Sequence, residues 1–249
     1  MSVELDVVDP DAVWVRSAMV RLPGADRDAV SQELGSAIHE FVRKSNCLVV
    51  RYEIPLEADV AQYSLSPIPT IANEGQADFA GLDGTFLHYV DIPGFELRLY
   101  PRDYDPSRLL WNVTSSHHPL ACWCPTPSKV ALFPAPAASL AGQNMEVCVS
   151  ASLRRRYDTA SPDVPMFPTV PTFLAQHYFD PILDGVTGRM MSHAKRPYSD
   201  PRLGVYYLKR FRDGMRVATD EALRKWSSSE SSFMFNRDWS ANSSGRRVR

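Results

Sequence analysis

The hydrophobic period changes twice along this chain, and that change limits what it can fold into. Over residues 27–44 the apolar side chains Val30, Leu34, Ile38, Phe41 and Val42 recur at helical spacing on one face. Asp26 stands where a helix cap would, and Arg43 and Lys44 suit the negative end of the helix dipole. From Cys47 onward the runs become short, β-branched and aromatic, with prolines at 119, 125, 127, 134 and 136 between them. Proline cannot donate to a sheet ladder, so such strands are short or lie at edges. We expect strands over residues 47–54, 60–65, 85–92, 95–100, 111–115, 121–124, 130–133 and 145–150, and a long loop over 66–84.

The helical period returns after a proline-rich linker, residues 161–171. Thr172 is read as the cap of a helix carrying Phe173, Leu174, Tyr178, Ile182, Val186 and Met190, with Pro181 kinking or splitting it. Asp200-Pro201 reads as a second start, followed by Leu203, Tyr206, Tyr207, Phe211, Met215, Ala218, Ala222 and Leu223. One helix, a run of strands and two long helices make an α+β fold. The expected organisation is an extended N-terminal arm (1–25) and a helical bundle built from 26–46 and 165–226. An antiparallel β-rich sandwich or barrel (47–160) is inserted between those two parts, and an extended tail (227–249) ends the chain. The first helix should pack with the last two, because three amphipathic faces need a shared core.

Composition narrows the function classes. Twenty-seven basic and 29 acidic side chains leave the chain near neutral, which argues against a generally basic nucleic-acid binder. The charge is split: residues 1–150 carry 10 basic and 19 acidic side chains, residues 151–249 carry 17 and 10. Either two surfaces meet different partners, or a loop-rich half is simply acidic. No apolar run approaches the ~18 residues of a membrane span, and acids in the opening MSVELDVVDPDAVWV argue against a secretory leader.

Candidate chemistry is sparse. Neither GxGxxG nor GxxxxGK[ST] is present, nor GxSxG, nor HExxH. His117, His118, Cys122 and Cys124 offer nitrogen and sulfur donors of the kind zinc takes. Their spacing is not that of a zinc pair, and we read Cys122 and Cys124 as small buried hydrophobes on one face of a strand. Cys47 and Cys148 read as strand cysteines in a reducing compartment, and Arg154–Arg156 as a solvated edge. No cofactor is expected. Phe233, Phe235 and Trp239 lie in a serine-rich tail ending in Arg246, Arg247 and Arg249. Large aromatics in a polar tail suit a partner's pocket; the other reading folds the tail back on its own helices.

The order of elements resembles the head-to-tail adaptor proteins of tailed bacteriophages, the head-completion or tail-tubular type found below the portal. The likeness runs through 37–44 (AIHEFVRK), 49–54 (VVRYEI), Tyr63-Ser64-Leu65, 130–136 (VALFPAP), 171–186 (PTFLAQHYFDPILDGV) and 195–201 (KRPYSDP), with Phe211 and Ala218 in the last helix. Asp180-Pro181 departs from the family's unbroken helix, and 66–84 and 227–249 have no counterpart.

The resemblance implies a non-enzymatic virion protein of the neck, assembled in the host cytoplasm and outside any membrane. Its partners would be the portal protein, tail-tube, nozzle or tail-fibre proteins, and its own copies in a dodecameric ring passed by genomic DNA. Within that reading Phe233, Phe235, Trp239, Arg246, Arg247 and Arg249 bind the portal, and Gly185, Gly188, Tyr206, Tyr207 and Phe211 pack between subunits. Two other readings stand beside it: a tail-tube or nozzle subunit lower in the stack, and a small metalloenzyme using the His117 to Cys124 region.

Overall fold

The structure, a computed structural model, describes residues 3–66, 68, 70–72, 82–92, 94, 99, 101, 119, 121–126, 128–153 and 169–227, with the backbone alone at 3–5, 70–72 and 224–227. The chain opens with β1 (Val3–Leu5) and β2 (Val7–Val8), then a wide π-type turn (Asp11–Val15) that runs into α1 (Arg16–Arg21), then α2 (Arg27–Ser45). The strands β3 (Val49–Pro55), β4 (Gln62–Ser64), β5 (Thr70–Ala72), β6 (Leu82–Asp91), β7 (Ala121–Thr126), β8 (Lys129–Phe133), β9 (Asn144–Leu153) and β10 (Val170–Pro171) follow. Two long helices, α3 (Thr172–Met191) and α4 (Pro201–Ser227), complete the described chain. The fold is α+β.

The N-terminal arm is a correction. Residues 11–21 are helical, and Trp14, Val15, Ala18 and Leu22 are buried at helical spacing. Asp9 starts the turn by accepting from the Asp11 N–H at 2.8 Å, with Pro10 already in helical conformation. The stretch is too short for its helical period to stand out against the alternating Val13, Val15 and Val20.

Helix α2 forms as its pattern requires. The Asp26 carboxylate accepts from the Ala29 N–H at 3.2 Å, and Asn46 ends the helix in the left-handed region at φ 51°. Val30, Leu34, Ile38, Phe41 and Val42 are all buried. Burying one such side chain is worth about 1.5–3 kcal/mol, so this face holds α2 between the sheet and the other helices. On one side α2 packs against β9. On the other, the Phe41 ring lies 5.1 Å from Tyr178 of α3 and 6.0 Å from Phe211 of α4, which is the shared core expected of the three helices.

β9 is the central strand of an antiparallel sheet with order β3-β9-β6, and a second antiparallel sheet has order β4-β8-β7. Among the described residues these sheets remain separate and close no barrel. Gly84 is required where the sheets' connections meet: a Cβ there would lie 2.8 Å from the Leu65 carbonyl oxygen. β1 pairs in parallel with β5, and β2 antiparallel with β10. The stretch read as a loop, 66–84, therefore contains β5 and the start of β6. Its partner β1 is distant in sequence, so no local pattern announces the pairing. Of the strand expected at 95–100, Leu99 is described and bridges Val90 with two bonds of 2.8 Å. The strand expected at 111–115 lies outside the described residues, as do Arg154–Arg156 and residues 161–168 of the linker.

Helix α3 begins at Thr172 itself, with Pro171 at the cap position and no capping side chain; the Thr172 N–H instead donates to the Asp6 carbonyl at 2.8 Å. Its kink falls at Tyr178 (φ −127°, ψ 25°), one turn before Pro181. Proline lacks the N–H that would reach back four residues, and its ring crowds that carbonyl.

Candidate interaction surface

Two glycines bring α3 and α4 together. A Cβ on Gly185 would lie 2.7 Å from the Phe211 ring, and one on Gly188 would lie 2.9 Å from the Leu208 backbone nitrogen. Gly214 of α4 answers from the other side, where a Cβ would meet Pro181 at 2.6 Å. Gly185, Gly188 and Phe211, expected between subunits, are thus buried inside one chain. The close approach that glycine permits is spent on the α3–α4 seam.

Beside that seam, the Asp184 side chain is 2% exposed and is gripped by two cations. Arg21 of α1 donates to one oxygen at 2.8 Å, and Arg210 of α4 reaches the other at 3.0 Å. Burial pushes the Asp184 carboxyl above its ordinary value, against the pull of Arg21 and Arg210. A second cluster ties α2 to α3 through Arg189, which reaches Glu33 at 3.6 Å and also bonds Glu40. Burial opposes the ionisation of Glu40, but Lys44 and Arg189 together outweigh it and hold its carboxyl below the usual value. These pairs fix α1 and α2 against the α3–α4 hairpin, and no spacing along the chain announces them.

With its inner side so committed, α4 leaves its outer side open. Only a narrow stripe of α4 is buried: Gly204, Phe211, Met215, Ala218 and Ala222. Val205 (67% exposed), Tyr206 (53%), Val217 (55%) and Leu223 (57%) face outward, so the apolar pattern of this helix continues beyond what the described residues cover. Tyr206 was expected at a contact between copies and lies on this open side, beneath the Arg210 guanidinium at 5.8 Å. Tyr207 is half-buried, with Arg21 over its ring at 5.6 Å. Interleaved with the apolar residues are Arg202, Lys209, Arg212 and Arg216, all exposed and none in an ion pair among the described residues. Arg212 and Arg216 sit one turn apart, where like charges are mildly unfavourable.

The other candidates part company. Cys122 is buried, its thiol 3.4 Å from the Leu99 carbonyl, while Cys124 is exposed. The shared buried face read from the sequence is lost because β7 is an edge strand whose register breaks after Trp123. His117 and His118 lie outside the described residues, and among those described no three His, Cys, Asp or Glu converge as metal ligands. Phe233, Phe235, Trp239, Arg246, Arg247 and Arg249 also lie outside them. One nucleophile–base pair was not foreseen: His88 Nε2 is 2.8 Å from Ser150 Oγ across β6 and β9. Ser150 is fully buried, and its hydroxyl also reaches the Asn46 carbonyl at 3.4 Å, so the pair ties strand to helix end.

No protein-family model matches the chain, and no curated protein matches it. Among the described residues, no helix is long and apolar enough to cross a membrane.

Proposed function

We propose that this protein is a structural subunit that assembles with its own copies, a ring-forming head-to-tail adaptor linking a phage portal to the tail. The observation that carries the reading is the outer face of α4, where apolar side chains stand in water on a helix whose inner face is fully used. Exposed apolar side chains along a rigid element are available for a contact between molecules. The element order supports it: a helix and a late helical pair enclose an inserted β module, as in the adaptors the sequence resembles. Two modules of opposite charge also suit a molecule that meets different neighbours at its two ends. In this reading the tail residues Phe233, Phe235, Trp239, Arg246, Arg247 and Arg249 engage the portal.

Mass by light scattering, with and without the portal protein of the same genome, tests the proposal. A multiple-copy complex on the portal is the expected result, and a protein that ignores the portal overturns it. Deleting residues 228–249 should leave a folded chain with the same melting curve that no longer joins the portal. Full portal binding by that variant would remove the tail from the interface.

A further inference from the structure

The charge of the uncovered α4 face has a counterpart on the same chain. Arg202, Lys209, Arg212 and Arg216 follow one another at three- to seven-residue steps, so they share a stripe with Val205 and Leu223 and outnumber the two exposed acids along its edge, Asp213 and Asp220. A helix of 27 residues is about 40 Å long, enough to supply one side of a standard interface. The β module carries the opposite sign. Its described residues from 49 to 153 hold Arg51 and Lys129 against Glu53, Glu57, Asp59, Asp83, Asp91 and Glu146.

Three of these carboxylates stand in register across the sheet, Glu53 opposite Glu146 and Asp91 opposite Glu146. Like charges placed directly across strands are unfavourable. At the same end, Glu57 and Asp59 project from the exposed turn after β3. Backbone bonds from Leu56 to Gln143 and from Asp59 to Pro136, at 2.8 and 2.9 Å, hold that turn against the start of β9.

We propose that the outer face of α4 docks on this acidic end of the β3-β9-β6 sheet in a second copy of the chain. The proposal rests on the ring reading above and names the two surfaces that meet. A phosphate backbone would match the arginines but would leave Val205 and Leu223 nothing to bury against; the sheet end sets the exposed Pro55 and the half-buried Ile54 and Val60 among its carboxylates and so serves both. The contact is heterologous, because the two patches differ, so each copy keeps one free patch for the next and the series closes into a ring if the rotation allows.

Charge reversal on each patch of the full chain tests it. Arg212→Glu with Arg216→Glu, and separately Glu57→Arg with Asp59→Asn, should each raise the concentration needed for self-association by at least about tenfold, with unchanged melting curves because all four sites are exposed and asparagine suits the left-handed φ of 59° at position 59. An equal mixture of the two variants should recover at least part of the lost assembly by light scattering. The two native patches still match, and the glutamates placed on one copy's α4 face the arginine placed on the other copy's sheet end. Rings formed on the portal by the α4 variant would overturn the surface while leaving the adaptor reading intact. Assembly recovered in the mixture by a protein that never binds portal would uphold the surface and sink the adaptor reading. A mixture that assembles no better than either variant alone while the wild type assembles would also overturn the surface.

Discussion

The indole N–H of Trp14 donates to the carbonyl of Phe179 at 3.0 Å, and the two rings stack 6.0 Å apart with only 13° between their planes. Phe179 is the residue just after the kink in α3. The N-terminal turn is thereby pinned to the place where the long helix changes direction, 165 residues away in sequence.

Replacing Trp14 by Phe keeps most of the apolar area and removes the N–H bond. We expect a loss of about 1–3 kcal/mol, read as a lower urea midpoint with an unchanged slope. A variant as stable as the wild type would show that the bond does not hold the arm in place.

Gly185→Ala places a methyl group 2.7 Å from the Phe211 ring, which is itself buried and has nowhere to retreat. Overpacking of this kind costs about 1–3 kcal/mol. Adding Phe211→Leu should recover part of that loss, so the pair should be non-additive in a double-mutant cycle. Strict additivity would place the cost elsewhere.

Asp184 and Glu40 should respond to pH with opposite signs. The raised Asp184 carboxyl binds its proton more tightly in the folded chain, so its contribution falls as pH rises from the ordinary value through the raised one. Asp184→Asn should therefore be better tolerated at neutral pH than near pH ~4. The lowered Glu40 carboxyl contributes above the ordinary glutamate value and loses that contribution as pH falls through its lowered value. Glu40→Gln should cost less than about 1 kcal/mol at neutral pH, since the side chain is partly exposed, and nothing once the carboxyl is protonated. Urea titrations of both variants at the two pH values decide it, and the same sign for both would contradict the assignment.

The cysteines should separate by accessibility. Burial pushes the Cys148 thiol up to about 12, and Cys122 is enclosed, so neither should react with a thiol reagent before the chain unfolds. Cys124 is exposed and should be the faster of the three to label in the native protein. Purified protein carrying close to one equivalent of zinc would instead revive a metal site at Cys122 and Cys124.

What was legible in the sequence followed from local physics. The period of α2, its Asp26 cap, the start of α4 at Asp200-Pro201 and the disturbance at Pro181 all depend on residues a turn or two apart. The strands β3, β8 and β9 were legible because β-branched runs between turn residues allow few other structures. The short helix around Trp14 and the strand β5 were missed because each is stabilised by a distant partner, Phe179 in one case and β1 in the other.

The candidate surface divides the same way. That α4 is amphipathic was plain from its sequence; which of its apolar residues would be covered was not. Tyr206 and Leu223 repeat at helical spacing as faithfully as Phe211, yet they stand outside. The seam is only as wide as Gly185, Gly188 and Gly214 permit, and the backbones approach so closely that one stripe of α4 is enough to fill it. The sequence by itself determined the long helices and the strands β3, β8 and β9, because hydrogen-bonding period and side-chain spacing act over neighbouring residues. Only the tertiary structure decided which faces are spent within the chain and which remain for a partner, because burial depends on what the other elements leave uncovered.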